Sequence, residues 1–214
     1  KMKKGIIKKT VMLGLGLVLV TGLVACSDKK DDQKTTSTDK KEIVMGLDNT
    51  FVPMGFLNDK NELEGFDIDL ANEAFKRAGY TVKFQNIDWS MKEQALDNGN
   101  VDCLWNGYSI TEERKARVAF SKPYFDNKQI AITMSTESPT KLADLKDQVV
   151  GTQAASSALE AIEANKEFIG MIKDQKPVTY DTYDKALRDL EIGRIKSVVG
   201  DEVLLNYSEG CRQV

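Results

Sequence analysis

Leu104–Arg114 reads LWNGYSITEER, and it sets a bare glycine, two hydroxyls and a guanidinium just past an apolar run. The run stops at Asn106 and Gly107, and Ser109, Thr111 and Arg114 follow within seven residues. A guanidinium offers planar, paired donors that match a carboxylate, and it stays charged at any working pH. Gly107 lets a ligand reach the backbone, and the hydroxyls can donate. This is the chemistry of holding an anion. The competing reading of Arg114 is a solvated helix charge, like its neighbours Glu112, Glu113, Lys115 and Arg117.

Other positions offer complementary groups. Ser156 and Ser157 open a helix, where free backbone N–H groups and the dipole favour an anion, although simple N-capping explains one serine equally well. Asp201 follows a strand and Gly200, a place where a carboxylate can receive an ammonium group or merely sit in a turn. Phe51 and Trp89 each lie just past a strand and either sandwich an apolar stem or a cation, or belong to the core. Asp48 either meets a side-chain donor or forms an Asx turn with Asn49. Taken together, a cation with donors, a helix N-terminus, an acid and two aromatics suit an α-amino acid zwitterion. The chain has no histidine, which removes the commonest general base, the Ser-His and Cys-His pairs and the usual zinc ligand. No cofactor or metal is called for. A net charge of −3 gives no sign of a nucleic-acid partner.

The elements that position these residues follow from periodicity. KEIVMGL (41–47) and YTVKFQNI read as strands. GFDIDLANEAFKRAG places Leu70, Ala71, Ala74, Phe75 and Ala78 at helical spacing, with Gly79 as a stop. Ser90 and Glu93 form a candidate capping box for SMKEQALDNG, and VDCLWNG reads as the next strand. VVGTQAASSALEAIEANKEFI is a strand, a small-residue turn and a helix; TYDKALRDLEIG is a helix and RIKSVVGDE the strand after it. Strands alternating with helices argue for an α/β protein with parallel sheets. The shared grammar of ALDNGNVDCLWNG and DLEIGRIKSVVGD favours two similar lobes, with KPYFDNKQIAITM (122–134) as an extended connection. At 214 residues and 41% hydrophobic content the chain can bury one or two modest cores. In open parallel sheets ligands sit beyond the carboxyl ends of the strands, which here gathers 48–51, 88–89, 106–109, 154–157 and 200–201.

The N-terminus is a targeting signal. KMKKGIIKK is basic, and VMLGLGLVLVTGLVA is apolar but short of the roughly 20 residues a bilayer needs. Leu23-Val24-Ala25-Cys26 resembles the lipobox of bacterial lipoproteins, with cleavage before a diacylated Cys26; a plain membrane anchor or ordinary secretory signal is the alternative. SDKKDDQKTTSTDKK carries no apolar side chain and reads as a disordered tether. With Cys26 lipidated, Cys103 and Cys211 remain, and Cys103 is expected as a buried thiol.

The stretches GLDNTFVPMGFLNDKNELEGFDIDLANEAFKRAGY, DWSMKEQALDNGNVDCLWNGYSITEERKARVAFSKPYF and VGDEVLL resemble the bacterial extracellular solute-binding proteins that serve ABC importers of polar amino acids. The resemblance runs from about Glu42 to about Leu205 and implies a two-lobed, type II periplasmic-binding-protein-like fold. It implies that Arg114 pairs a ligand α-carboxylate beside Ser109 and Gly107, with Ser157 meeting that group from the other lobe, and that Asn106, Gln153 and Ser156 also belong to the ligand site. Asp201 and the Gly107 carbonyl would take the α-amino group, Phe51 and Trp89 would flank the ligand, and Asp48 would meet its side chain. Gln153, Ala155 and Ser156 depart from the common pattern where selectivity is set, so cationic, amide and small polar ligands stay open. The implied organisation is a signal peptide (1–25), a lipidated Cys26 with tether (26–41), lobe 1 (42–127) and lobe 2 (128–214). The implied function is a monomeric, lipid-anchored receptor on the extracellular face of the membrane that hands an amino acid to an ABC permease without catalysis. A ligand-sensing module is one alternative. An enzyme of dehydratase or transglycosylase type, with Asp201 or Glu202 as the acid, is another. The ending NYSEGCRQV and the Lys1 before Met2 read as a fragment or a frame-shifted product, with lobe 2 and the return to lobe 1 incomplete.

Overall fold

The computed structural model describes residues 41–208 and 210–214; the signal segment, Cys26 and the tether up to residue 40 lie outside the described residues. Strand β1 (Glu42–Leu47) becomes steadily more buried toward its C-terminal end, where Met45 and Leu47 enter the core. Three short strands not foreseen from the sequence follow it. They are β2 (Thr50–Phe51), β3 (Gly55–Leu57) and β4 (Leu63–Glu64), which form a small antiparallel sheet. Helix α1 (Phe66–Ala78) starts after Gly65, whose φ is 135°. A Cβ there would lie 2.5 Å from the Met54 carbonyl oxygen, so only glycine fits. The helix stops at Gly79 in the left-handed conformation, as expected. Its buried face differs from the expected stripe: Ile68 and Ala71, with half-buried Phe75, pack on Met45 and Leu47, whereas Ala74 and Ala78 are exposed. The helix rolls so that its β-branched Ile68, rather than two alanines, faces the sheet.

Strand β5 (Thr81–Asn86) leads into a 3-10 turn, Trp89–Met91, and helix α2 (Lys92–Asp97). The turn is capped by Asp88, whose carboxylate accepts from the Ser90 N–H at 2.9 Å and hydroxyl at 2.7 Å, so Ser90 is a donor here rather than the expected cap. Strand β6 is only Cys103–Leu104, shorter than the apolar run suggests, because the chain turns out of the sheet after Trp105. Helix α3 (Glu112–Lys115) is a single turn capped by Thr111. Strands β5, β1 and β6 form one all-parallel sheet in that order.

A second sheet is built from the later residues. Residues 129–134, expected as part of a connection, are instead strand β7 (Gln129–Met134). The sheet continues with β8 (Val150–Gln153), β9 (Val178–Tyr180), β10 (Ser197–Asp201) and β11 (Cys211–Gln213). The order is β11-β7-β10-β8-β9, with β10, β8 and β9 parallel and both neighbours of β7 antiparallel to it. The sheet is therefore mixed, not parallel throughout. Buried Ile130, Ala131 and Ile132 give β7 apolar faces on both sides, as an internal strand requires. Helix α4 (Ser157–Ala164) ends at Asn165, which caps α5 (Lys166–Met171), so the single helix expected there is two. Helices α6 (Tyr183–Glu191) and α7 (Glu202–Leu205) complete the covering layers. One core cluster joins Phe51 and Met54 to Ile130, Ile132, Tyr183 and Val198, which ties the early residues to the second sheet. Cys103 and Cys211 are free thiols; Cys103 is half-buried, and burial with nearby Asp102 pushes it up to about 11.

Candidate functional site

Arg114 is the side chain about which the site is organised. Thr111 accepts from the Arg114 N–H at 3.2 Å and fixes the single turn that carries it. Arg114 is only 3% exposed. Nη1 donates to the Ser109 carbonyl at 3.1 Å, Nη2 to the Ala155 carbonyl at 3.2 Å, and Nε faces Glu160 Oε1 at 2.9 Å. The guanidinium also lies over the Tyr108 ring, 4.7 Å from its centroid. A guanidinium has five N–H donors, so these bonds leave one on each Nη, a pair that a carboxylate can take together.

Lys92 stands beside it, and nothing in the sequence singled it out. It is 2% exposed, and its ammonium donates to the Ala155 carbonyl at 2.9 Å and the Trp89 carbonyl at 3.3 Å. Glu93 lies 3.4 Å away. Burial lowers the Lys92 pKa; Glu93 opposes that shift and Arg114 adds to it. For Glu93, burial acts upward, but the Tyr108 hydroxyl at 2.6 Å and Lys92 outweigh it and hold the acid below its ordinary value. Ala155 itself has φ 53°, a left-handed conformation costly for a residue with a Cβ, and its carbonyl receives both cations.

The facing wall comes from the end of β8 and the start of α4. The Ser156 hydroxyl accepts from the Leu159 N–H at 3.1 Å and donates to the Gln153 carbonyl at 2.8 Å, so this serine is the N-cap. The Ser157 hydroxyl accepts from Gln129 Nε2 at 3.1 Å and donates to Ser109 Oγ at 3.3 Å. Asp201 is buried, and its Oδ1 accepts from Gln129 Nε2 at 2.8 Å and from Asn127 Nδ2. Burial raises its pKa, against the two amides and Arg114. Asp48 is buried too. Its Oδ1 accepts from the Thr50 N–H at 2.9 Å and hydroxyl at 2.7 Å, which closes the Asx turn on Thr50. Its Oδ2 accepts from Gln153 Nε2 at 2.7 Å. Burial raises its pKa as well, with Asp184 adding and the Thr50 and Gln153 donors opposing.

All the residues expected at the site border one cavity except Asp48, which stands behind Gln153. Asn106 accepts from the Asp48 N–H at 3.0 Å, while its own Nδ2 has no partner among the described residues. Gly107 has φ 59° and gives its N–H to Asp67 Oδ2 at 2.7 Å, which leaves its carbonyl as the available group. Phe51 and Trp89 are both buried and both border the cavity, and they pack against Tyr183 and Tyr108 respectively. Glu202 does not border this cavity. The enclosed space measures about 10 Å³, roughly what one water needs. A larger ligand requires the walls to part. Sequence reasoning missed Lys92, Glu93, Glu160, Asn127 and Gln129. For Gln129 a signal existed: it opens a strand whose next three residues are apolar, which marks a polar side chain placed there for a partner.

Residues 43–195 match the family described as bacterial extracellular solute-binding proteins, family 3. The chain belongs to this family. It is 31% identical over 166 residues to ABC transporter arginine-binding protein 1 of Escherichia coli K12, covering 78% of this chain and 65% of that relative. Among solved structures it resembles an ABC uptake transporter substrate-binding protein from Streptococcus pneumoniae with bound histidine. That match has 38% identity and a TM-score of 0.80, over 82% of this chain and 75% of the other. It also resembles an ancestral arginine-binding protein bound to arginine, at 33% identity and a TM-score of 0.74, over 81% and 78%. The α/β fold is thus the type II periplasmic-binding-protein fold, in part, and family 3 consists of solute-binding proteins rather than enzymes. No helix among the described residues is long and apolar enough to cross a membrane.

Proposed function

We propose that the chain captures a free polar or charged amino acid outside the cell and hands it to an ABC permease, with no reaction on the ligand. The observation that carries this reading is the pairing of opposite groups across one cavity: two N–H donors on buried Arg114 without a partner among the described residues, and a buried Asp201 carboxylate with no Lys or Arg within salt-bridge distance among them. The first matches an α-carboxylate, joined by Ser109 and Ser157; the second matches an α-ammonium, joined by the Gly107 carbonyl. Phe51 and Trp89 give the apolar walls between them. Binding proteins of arginine and histidine among its relatives support the same class.

Capture then needs a hinge opening, with residues 122–128, the part of the expected connection that precedes β7, as the segment that flexes. The contacts of Lys92 and Arg114 with Ala155, and of Asp48 with Gln153, would break and re-form in each cycle. The LVAC sequence and the polar segment after it support anchoring of a monomer through a lipid on Cys26, at the extracellular face of the membrane.

Thermal unfolding of the full chain with each of the twenty amino acids tests the reading. A ligand that binds the folded state at a hundredfold excess over its Kd adds about 2.7 kcal/mol. A raised midpoint with one or a few amino acids is expected. A cooperative transition that none of them moves would overturn amino-acid capture.

A further inference from the structure

We propose that Asp67, which does not border the cavity, is a positioning residue for the ammonium end of the site. It holds Gly107 with its carbonyl toward the ligand and ties that residue to Tyr124 in the connection. The inference rests on the amino-acid reading above and deepens it. It also gives a role to two sequence stretches that the ligand site leaves unused, GFD at the start of α1 and SKPY before β7. An ordinary acid in the first turn of a helix stays in water, as Asp69 does. Asp67 is 0% exposed, and each of its oxygens serves a distant partner. Oδ2 accepts from the Gly107 N–H at 2.7 Å, 40 residues away, and Oδ1 from the Tyr124 hydroxyl at 2.8 Å, 57 residues away. Its own N–H donates to the Met54 carbonyl at 2.8 Å, so the carboxylate starts from a fixed backbone.

Among the described residues no Lys or Arg lies within salt-bridge distance of Asp67. Burying a carboxylate without a cation is costly. What the charge adds is strength, since a charged acceptor bonds about twice as tightly as a neutral one. Gly107 is a residue that needs such a hold. Its φ is 59°, and a Cβ there would meet nothing nearer than Phe51 Cε1 at 3.4 Å, so the backbone conformation rather than lack of space calls for glycine. A glycine can leave that conformation at little cost, which would turn its carbonyl from the cavity. The bond to Asp67 fixes the Asn106–Gly107 peptide. On the other side Tyr108 is held by Glu93 at 2.6 Å, so the carbonyl between them keeps one direction. Tyr124 is 41% exposed; its ring stacks on Phe66 at 6.4 Å and meets Trp105 at 5.9 Å, and its hydroxyl is the fixed point. Asp67 thus pins the first part of the connection and leaves residues 125–128 to flex.

Glycine-labelled magnetic resonance of the full chain, with calorimetric titration by L-arginine and L-histidine and then by the other amino acids if neither binds, tests this. The Gly107 amide proton is expected downfield of the other glycine amides and should move upfield in Asp67→Asn. Affinity should fall at least tenfold in Asp67→Asn and about threefold in Tyr124→Phe. The double variant should bind no more weakly than Asp67→Asn alone, because both changes act through one carboxylate. A residue that only stabilised the fold would lower the unfolding midpoint and leave the affinity of the folded chain unchanged. Unchanged affinity in either folded variant would overturn the inference while leaving amino-acid capture standing, and where Asp67→Asn does not fold Tyr124→Phe decides alone. An unsubstituted chain that binds none of the twenty amino acids would overturn both.

Discussion

At one end of the cleft Arg114 and Lys92 each face a glutamate, and both reach across to the carbonyl of Ala155. At the other end Asp48 and Asp201 are held only by amides, hydroxyls and one backbone N–H. The first end has its charges balanced by the protein itself. There the side chains can fix geometry across the two sheets and still keep two N–H groups for an anion. The second end has no Lys or Arg within salt-bridge distance among the described residues, and burial raises both carboxyl pKa values although their hydrogen-bond donors and, for Asp201, the more distant Arg114 act against it. On the proposed reading, the balanced end takes the α-carboxylate and Asp201, at the other end, takes the α-ammonium group.

The sharpest break of that comparison is Arg114→Ala. Removing one partner of a buried, hydrogen-bonded ion pair costs about 2–5 kcal/mol, so amino-acid affinity should fall about thirtyfold or more by calorimetry. Unaltered affinity would remove the carboxylate from this end. Next comes Asp201→Asn, which keeps the shape and the acceptor for Gln129 but deletes the charge. Affinity should drop about tenfold or more, yet the midpoint measured without ligand should hold or rise, because an uncompensated buried charge is gone. At the balanced end Glu160→Gln should do the reverse and lower the midpoint.

The sign of the pH response follows from the same contrast. On the proposed reading the ionised form of Asp201 takes the ligand's ammonium group, but burial makes this carboxyl hold its proton to higher pH than an ordinary carboxylate. Affinity should therefore decline as pH falls through that raised value, by up to about tenfold per unit, and this dependence should flatten in Asp201→Asn. For folding alone the sign is opposite. The contribution of Asp48 and Asp201 to stability is greatest when both are protonated, and it is lost as pH rises through their raised values.

A smaller effect is expected from Lys92→Met, which removes one of the two donors to the Ala155 carbonyl. Hydrogen bonds from charged groups contribute about 1.5–3 kcal/mol, and part of that is recovered by Arg114. Stopped-flow dissociation of the bound amino acid should speed up by about tenfold, while association changes little. The least expected change is in Ala155→Gly, where relief of the left-handed backbone should raise the unfolding midpoint by the equivalent of about 0.5–1 kcal/mol. A lowered midpoint would show that the alanine methyl group packs favourably enough to offset its strain.

Local signals carried a good part of this in the sequence. The stop of α1 was legible because Gly79 answers to backbone geometry. Arg114, Ser156 and Asp201 were legible because each stands at an element boundary, where polar side chains meet ligands or cap ends. What stayed hidden depends on distant partners. The β7 segment looked like a connection because its strand character comes from β10 and β11, residues far along the chain. Lys92 in SMKEQAL looks like any solvated helix lysine. Its burial comes from Trp89, Tyr108 and a carbonyl 63 residues away. The bond between Gln153 and Asp48 spans 105 residues, and no local pattern announces it.

The pairing of β7 with β10 sets Gln129 directly opposite Asp201. Asn127, two positions earlier, supplies the other amide to the same carboxylate. Side chains two apart on an extended chain share a face, and a shift of one residue sends them to the opposite face. Insertions or deletions before Asn127 would therefore be absorbed by the connection. The loss of a single residue between Asn127 and Met134 would instead turn Gln129 away and leave Asp201 without its donors, even if every strand still formed. This part of the coding sequence is thus constrained in its length more strictly than in its composition.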